Sequence, residues 1–235
     1  MKACLFDIDG TLVLTGGAGQ VAFAETFAEE FGVQEITNAI SFAGRSDRAI
    51  AMDLFRAHDV PATTASWDLF QSGYLQRLEE ALARCVGQVL PGVDQLLDRL
   101  EARGDVLVGL LTGNVREAAA SKLGYYGLWQ RFEGESGVFG GFGDEHTDRN
   151  DIAATAVGQA RERHAAKDGA GAGDKEVIVV IGDTPNDIRC GRSIGAKVVA
   201  VPTGHTPSSE LATHEPDLLV DTLEDADTLV SWFDD

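Results

Sequence analysis

Short apolar runs of strand length alternate along this chain with stretches in which apolar residues recur every three to four positions. Ala3-Cys4-Leu5-Phe6, Val106-Leu107-Val108-Gly109-Leu110-Leu111 and Val177-Ile178-Val179-Val180-Ile181 are apolar nearly throughout, the pattern of parallel strands covered on both faces. Phe23, Phe27 and Phe31, with Ala24 and Ala28 beside them, predict one helical face. Trp67, Phe70, Tyr74, Leu78 and Ala81 predict a second, with Ser66 as its N-cap, and Ile50 with Leu54 marks a helix between the two. Beyond Pro91, the positions Val93, Leu96, Leu97 and Leu100 form the sheet-facing stripe of a helix stopped by Gly104. Further helices are expected from Arg116 to Leu123 and from Asp148-Arg149-Asn150 onward, and two short strands, Lys197 to Val201 and Asp217 to Val220, close the pattern.

Strands separated by helices predict an α/β fold, with a Rossmann-like parallel sheet as its core. The all-helical block from 16 to 87 interrupts that alternation between the first and second strands. It is best explained as an inserted helical cap domain on a core made of 1–15 and 88–235. Leu14-Thr15-Gly16-Gly17-Ala18-Gly19 has no Walker lysine after it and reads as a hinge into the insertion rather than a phosphate cradle. His164 to Lys175, with its glycines at 169, 171 and 173, reads as a polar flexible loop without chemistry.

The 235 residues are 44% hydrophobic, enough for a proper core. Nineteen Lys and Arg stand against 38 Asp and Glu, a net charge of −19, which argues against nucleic acid or an anionic membrane as partner. Cys4, Cys85 and Cys190 have neither disulfide-framework nor zinc spacing, and the first apolar run breaks at Asp7 before it could serve as a signal peptide. A cytoplasmic protein is expected. His58, His146, His164, His205 and His214 lack metal-ligand spacing.

The chemistry lies where the apolar runs end. The first run stops in Asp7-Ile8-Asp9-Gly10-Thr11, and alternation along a strand would send both carboxylates to one side, where they call for a hard divalent cation such as Mg²⁺. The second stops in Thr112-Gly113-Asn114, and the third in Gly182-Asp183-Thr184-Pro185-Asn186-Asp187. In an open parallel sheet ligands bind at the carboxyl ends of the strands, so the three endings are suited to one site.

With these motifs in this order, the chain resembles the haloacid dehalogenase-like hydrolase superfamily, in its phosphoglycolate phosphatase-like branch. The resemblance implies a phosphatase acting on a small phosphorylated metabolite, phosphoglycolate by default, through an aspartyl-phosphate on Asp7. It implies Mg²⁺ bound by the Asp7 side chain, the Asp9 backbone carbonyl and the Asp183 side chain, with Asp187 in support. Asp9 would be the acid that protonates the leaving group and then the base that activates water. Dehalogenases of the superfamily lack that second aspartate, so its presence favours phosphate over haloacid. Gly10, Thr112, Gly113 and Asn114 are the expected phosphate-binding residues, Thr112 through its hydroxyl.

Three points stay open in the sequence. The family's third motif is usually a lysine followed by proline, which does not occur here. Arg149 stands where that lysine is expected, and Lys122, inside a helix and read as a surface residue, is the competitor. Phe42-Ala43-Gly44-Arg45-Ser46-Asp47 resembles the cap loop that reaches the active site, so Arg45 either grips an anionic part of the substrate or pairs with an acid such as Asp47. A β-phosphoglucomutase-like phosphomutase uses the same aspartates, and a non-catalytic binding protein of this fold is the rival from another class. A phosphonatase, which needs a cap lysine, is disfavoured because no lysine lies between Lys2 and Lys122.

Overall fold

The computed structural model describes residues 1–134, 136–144, 146–168 and 175–234. Chain order begins with β1 (Lys2–Phe6), β2 (Val13–Leu14), α1 (Ala18–Phe31), α2 (Asp47–Ala57), α3 (Thr64–Arg84) and β3 (Gln88–Val89). It continues through α4 (Val93–Arg103), β4 (Leu107–Leu111), α5 (Arg116–Tyr125), β5 (Glu133–Gly134), β6 (Gly137–Val138), β7 (Gly140–Gly141) and α6 (Arg149–Asp168). The remaining elements are β8 (Val177–Gly182), α7 (Pro185–Ser193), β9 (Lys197–Ala200), α8 (Ser208–Thr213), β10 (Leu218–Leu219) and α9 (Ala226–Ser231).

Six strands form one parallel sheet in the order β10-β9-β8-β1-β4-β7. Phe6 of β1 is level with Leu110 of β4 on one side and Ile181 of β8 on the other, so all three motif segments leave the sheet at one height. Alternation along the strands builds two cores. Cys4, Phe6, Val179 and Ile181 face the stripe of α4 together with Leu123 and Leu229, whereas Ala3, Leu5, Ile178 and Val180 face Ile152, Ala153, Ala156 and Val157 of α6. The α/β expectation therefore holds on both faces.

Helices α1, α2 and α3 bury their aromatic faces against one another, with Phe23, Phe27, Phe55 and Phe70 fully enclosed. The chain enters and leaves this helical unit through β2 and β3, paired antiparallel at Val13 with Val89 and at Leu14 with Gln88. A Cβ on Gly16, whose φ is +63°, would fall 2.3 Å from the Val86 carbonyl oxygen, so the hinge glycine permits the two connecting segments to run in contact.

Several local expectations are corrected. The N-cap of α3 is Thr63, not Ser66: its side chain accepts the Ser66 N–H at 3.2 Å, which starts the helix earlier. The sequence pattern assigns no strand between Leu123 and Asp148, yet β7 joins the sheet there, beside Leu110 and Leu111 of β4. A Cβ on Gly141 would lie 2.0 Å from the Ile152 carbonyl, so glycine is required there by backbone proximity, and strand propensity gives no hint of it. Helix α6 extends through Asp168, past His164, and the glycines of the expected loop lie outside the described residues. No helix among the described residues is long and apolar enough to cross a membrane.

Candidate active site

Strand β1 ends at Phe6, one residue before Asp7, whose N–H still reaches the Ile181 carbonyl at 3.0 Å. Asp7 and Asp9 thus leave the sheet in a turn rather than along a strand, yet both line one cavity of about 510 Å³ with Gly10, Thr112, Gly113, Asn114, Lys122, Arg149 and Asp183. The sheet register, more than side-chain alternation, brings the motifs together.

Asp7, Asp183 and Asp187 are buried, and each offers a carboxylate oxygen within 4.8 Å of the others. Burial, against which Arg149 works and to which Asp187 and Asp9 add, pushes Asp7 up to about 7; burial and the same carboxylates push Asp183 well above the usual range. One guanidinium cannot balance three buried carboxylates, so this donor set fits a hard divalent cation bound through oxygen. Thr11 Oγ1 donates to Asp183 Oδ1 at 3.3 Å, and Gly10 makes room for the same carboxylate: a Cβ there would lie 2.4 Å from Asp183 Oδ2. Asp187 closes a capping box on α7, its Oδ2 accepting the Thr184 N–H at 3.0 Å and the Thr184 hydroxyl at 2.6 Å.

Asp9's carboxylate lies outside that cluster. Lys122 Nζ donates to Asp9 Oδ2 at 2.7 Å and Oδ1 at 2.9 Å, and to Asn114 Oδ1 at 2.6 Å. Asn114 Nδ2 bridges Asp9 Oδ2 and Thr112 Oγ1, each at 2.8 Å. Thr112 therefore accepts from Asn114 and keeps its own proton free to donate. It is not the N-cap of α5, whose first amides are met elsewhere: Val115 N–H by Asp47 Oδ2 and Arg116 N–H by Asp144 Oδ2, both at 2.9 Å.

Lys122 as a surface residue is a correction. It is 4% exposed. The signal was in the sequence, because Ala118, Ala119, Lys122 and Leu123 share the buried face of α5, and a lysine inside an apolar stripe needs a partner. Arg149 is in the site as well. Its guanidinium pairs with Asp187 through Nη2 and approaches Asp7 Oδ1 at 3.5 Å through Nη1, while its buried Nε has no partner among the described residues. The two cations divide the acids, Arg149 taking Asp7 and Asp187 and Lys122 taking Asp9.

The segment before α2 crosses directly over the strand ends. Asp47 N–H donates to the Gly113 carbonyl at 2.8 Å, Ser46 Oγ to the Thr147 carbonyl at 3.1 Å, and Asn186 Nδ2 to the Gly44 carbonyl at 2.7 Å. A Cβ on Gly113 would meet the Arg45 carbonyl at 2.1 Å, which explains the glycine at this crossing. Arg45 pairs with Asp53 at 2.6 Å rather than with Asp47. Asp47 instead ties the helical unit to α5, and burial pushes its carboxyl up to about 7 despite Lys122 nearby. Neither Asp47's docking nor Asp144's capping was read from the sequence.

The fold is of the α/β class: a parallel sheet carries three buried carboxylates at its strand ends, and the segment leading into α2 lies against those ends. The sequence profile of haloacid dehalogenase-like hydrolases matches residues 4–192, and the chain belongs to that family. It is 26% identical over 223 residues to a protein of Dickeya dadantii named "Probable phosphatase IndB", covering 94% of this chain and 90% of that one. Among solved structures it is similar to "a predicted phosphoglycolate phosphatase" from Haemophilus somnus, with a TM-score of 0.67, 20% identity and 98% of both chains covered. CbbY from Rhodobacter sphaeroides, solved in complex with phosphate, gives a TM-score of 0.66 at 21% identity with 96% of both chains covered.

Proposed function

We propose that this chain is a Mg²⁺-dependent phosphatase that hydrolyses a small phosphorylated metabolite through an aspartyl-phosphate on Asp7, with residues 16–87 acting as the cap. The observation that carries the reading is the pairing of Asp7 with Arg149 and of Asp9 with Lys122 around one cavity. The first carboxylate is held beside a permanent cation that also suits a phosphoryl oxygen, and the second is oriented by donors at fixed positions.

An oxygen of Asp7 attacks phosphorus, the ester oxygen leaves with a proton from Asp9, and the phosphoryl group is carried on Asp7. Asp9 then takes a proton from water as that water attacks phosphorus, and phosphate leaves with Asp7 restored. Thr112's hydroxyl, which accepts from Asn114 and keeps its own proton, is a donor available to phosphoryl oxygens, and Arg149 lines the same cavity. Asp7 and Asp183, with the Asp9 carbonyl, would hold Mg²⁺, Asp187 supporting them from its capping box. The ion supplies the charge that lets a carboxylate approach a phosphate dianion.

A non-catalytic reading should go with a broken motif set; the ion pairs of Arg149 with Asp7 and Asp187 support reading it as the substitute for the third motif's lysine, ahead of Lys122. A phosphomutase of the β-phosphoglucomutase type keeps the same first half-reaction. Release of inorganic phosphate from a panel of phosphorylated metabolites, with purified protein and Mg²⁺, tests the proposal. An isomerised sugar phosphate without phosphate release would make the mutase the correct reading, and no turnover of any ester would remove both.

A further inference from the structure

Tyr74 lies on the aromatic face of α3. Its ring packs against Phe23 and Phe70 with centroids 4.7 Å and 5.6 Å away, contacts that phenylalanine would make equally well. The hydroxyl has no such explanation. It is buried and has no hydrogen-bond partner among the described residues, although an unpaired buried polar atom is costly.

The side chain lines the same cavity as Asp7 and Asp9, from the helical side. A carbon added to Gly19, in the first turn of α1, would sit 3.8 Å from Tyr74 Oη and 3.5 Å from Lys122 Nζ, so the hydroxyl stands on the cavity wall close to the lysine that holds Asp9. Burial, with the Asp47 and Asp9 carboxylates nearby, raises the phenol well above its ordinary value and keeps it a donor.

Charge narrows what that space can receive. The Lys and Arg side chains on the cavity wall are all committed: Lys122 to Asp9, Arg149 to Asp7 and Asp187, and Arg45 to Asp53. Phe23, Phe42 and Ile50 supply apolar wall on the same side. Among the described residues a carboxylate or a second phosphate on the leaving group would find no Lys or Arg there without a carboxylate partner of its own, whereas an uncharged oxygen would find a donor.

We propose that Tyr74 Oη donates a hydrogen bond to an uncharged oxygen on the leaving group, which makes this end of the cavity a subsite for phosphomonoesters of neutral, partly apolar alcohols. The proposal rests on the phosphatase reading and names its substrate class.

The test compares kcat/KM of the wild type, Tyr74→Phe and Gly19→Ala on phenyl phosphate, on hydroxylated alkyl phosphates of three to six carbons and on phosphoglycolate, all with Mg²⁺. The wild type should prefer a neutral hydroxylated ester to phosphoglycolate. Tyr74→Phe should lower the ratio of that ester to phenyl phosphate about three- to tenfold, the value of one neutral hydrogen bond, while the melting temperature of the ligand-free protein holds or rises as the unpaired hydroxyl is removed. Gly19→Ala adds a methyl at ordinary contact distance within a helix, so it should keep the fold and discriminate against the larger esters. Equal losses on all esters in Tyr74→Phe, an unchanged ratio, or a wild-type preference for phosphoglycolate would each overturn the subsite. Turnover with any of those results leaves the phosphatase standing; absence of turnover on every ester removes both.

Discussion

Lys122 Nζ lies 2.7 Å and 2.9 Å from the two carboxylate oxygens of Asp9, a two-point contact made by a lysine that is itself 4% exposed. An acid/base carboxylate serves two half-reactions and has to meet first an alkoxide and then a water at one place, so a fixed orientation is worth rate. Lys122→Met should lower kcat about ten- to a hundredfold, more on alkyl than on p-nitrophenyl phosphate, whose leaving group needs little protonation. Asp9→Asn alone should cost about 10²- to 10⁴-fold. In the double variant the lysine change should add little, because it acts through Asp9. Additive losses would mean that Lys122 touches the substrate on its own account.

Arg149 works on the other carboxylates, and its loss should be read in stability as well as rate. Removing a buried cation that pairs with Asp7 and Asp187 leaves two buried carboxyls without their counter-ion, a kind of change that costs roughly 3–5 kcal/mol where it has been measured. Arg149→Ala should therefore unfold at clearly lower denaturant and turn over at least about 10²-fold slower, with Arg149→Lys recovering part of both. Near-wild-type rates for Arg149→Ala would remove it from the third-motif role.

Burial, which disfavours the charged form, pushes the carboxyls of Asp7 and Asp47 up to about 7. A carboxyl whose pKa is higher folded than unfolded contributes stability that is complete below its unfolded value, about 4, and is lost as pH rises through about 7. The melting temperature of metal-free protein should accordingly fall across that window. If the cluster takes Mg²⁺ as proposed, the ion would bind the deprotonated carboxylates, so its stabilising effect should be larger at pH 8 than at pH 5. Asp47→Asn, outside the metal cluster, should flatten part of the fall while leaving the Mg²⁺ response intact. A melting curve indifferent to pH and Mg²⁺ together would contradict the carboxylate cluster as a cation site.

The parts of this molecule legible in its sequence are those in which one local pattern carries the whole message. Parallel strands buried on both faces declare themselves as apolar runs, and Phe23, Phe27, Trp67 and Phe70 announce helices by spacing alone. Asp7, Thr112 and Asp183 were placed by the ends of such runs. What the sequence withheld depends on contacts between distant segments. Gly140 and Gly141 pair with β4 as a strand, and they are glycine because β4 and α6 leave no room for side chains, which no propensity reports. Asp47 reads as an ordinary first-turn acid of its own helix, yet its carboxylate caps α5, 68 residues away. Lys122 carries a charge that suggests the surface, but its place in the apolar stripe of α5 beside Ala118, Ala119 and Leu123 decides its burial.

Arg45 is the residue on which sequence and structure pull hardest in different directions. The segment containing it packs against the strand ends through Gly113 and Thr147, but its guanidinium turns toward Asp53 at 2.6 Å and toward the carbonyls of Ser41 and Ala49, both at 3.4 Å. A pair about one third exposed contributes roughly 0–1 kcal/mol, so Arg45→Ala should leave the melting temperature within a few degrees. If the guanidinium stays with Asp53 during turnover, phosphoglycolate and p-nitrophenyl phosphate should lose activity by similar factors, through weaker closure of the helical unit. Were Arg45 to exchange Asp53 for the carboxylate of phosphoglycolate, that substrate alone would fall, by about one to two decades in kcat/KM for a charge-assisted contact made in the transition state. The ratio of the two substrates, measured in wild type and Arg45→Ala, separates a residue that reads the leaving group from one that holds the lid in place.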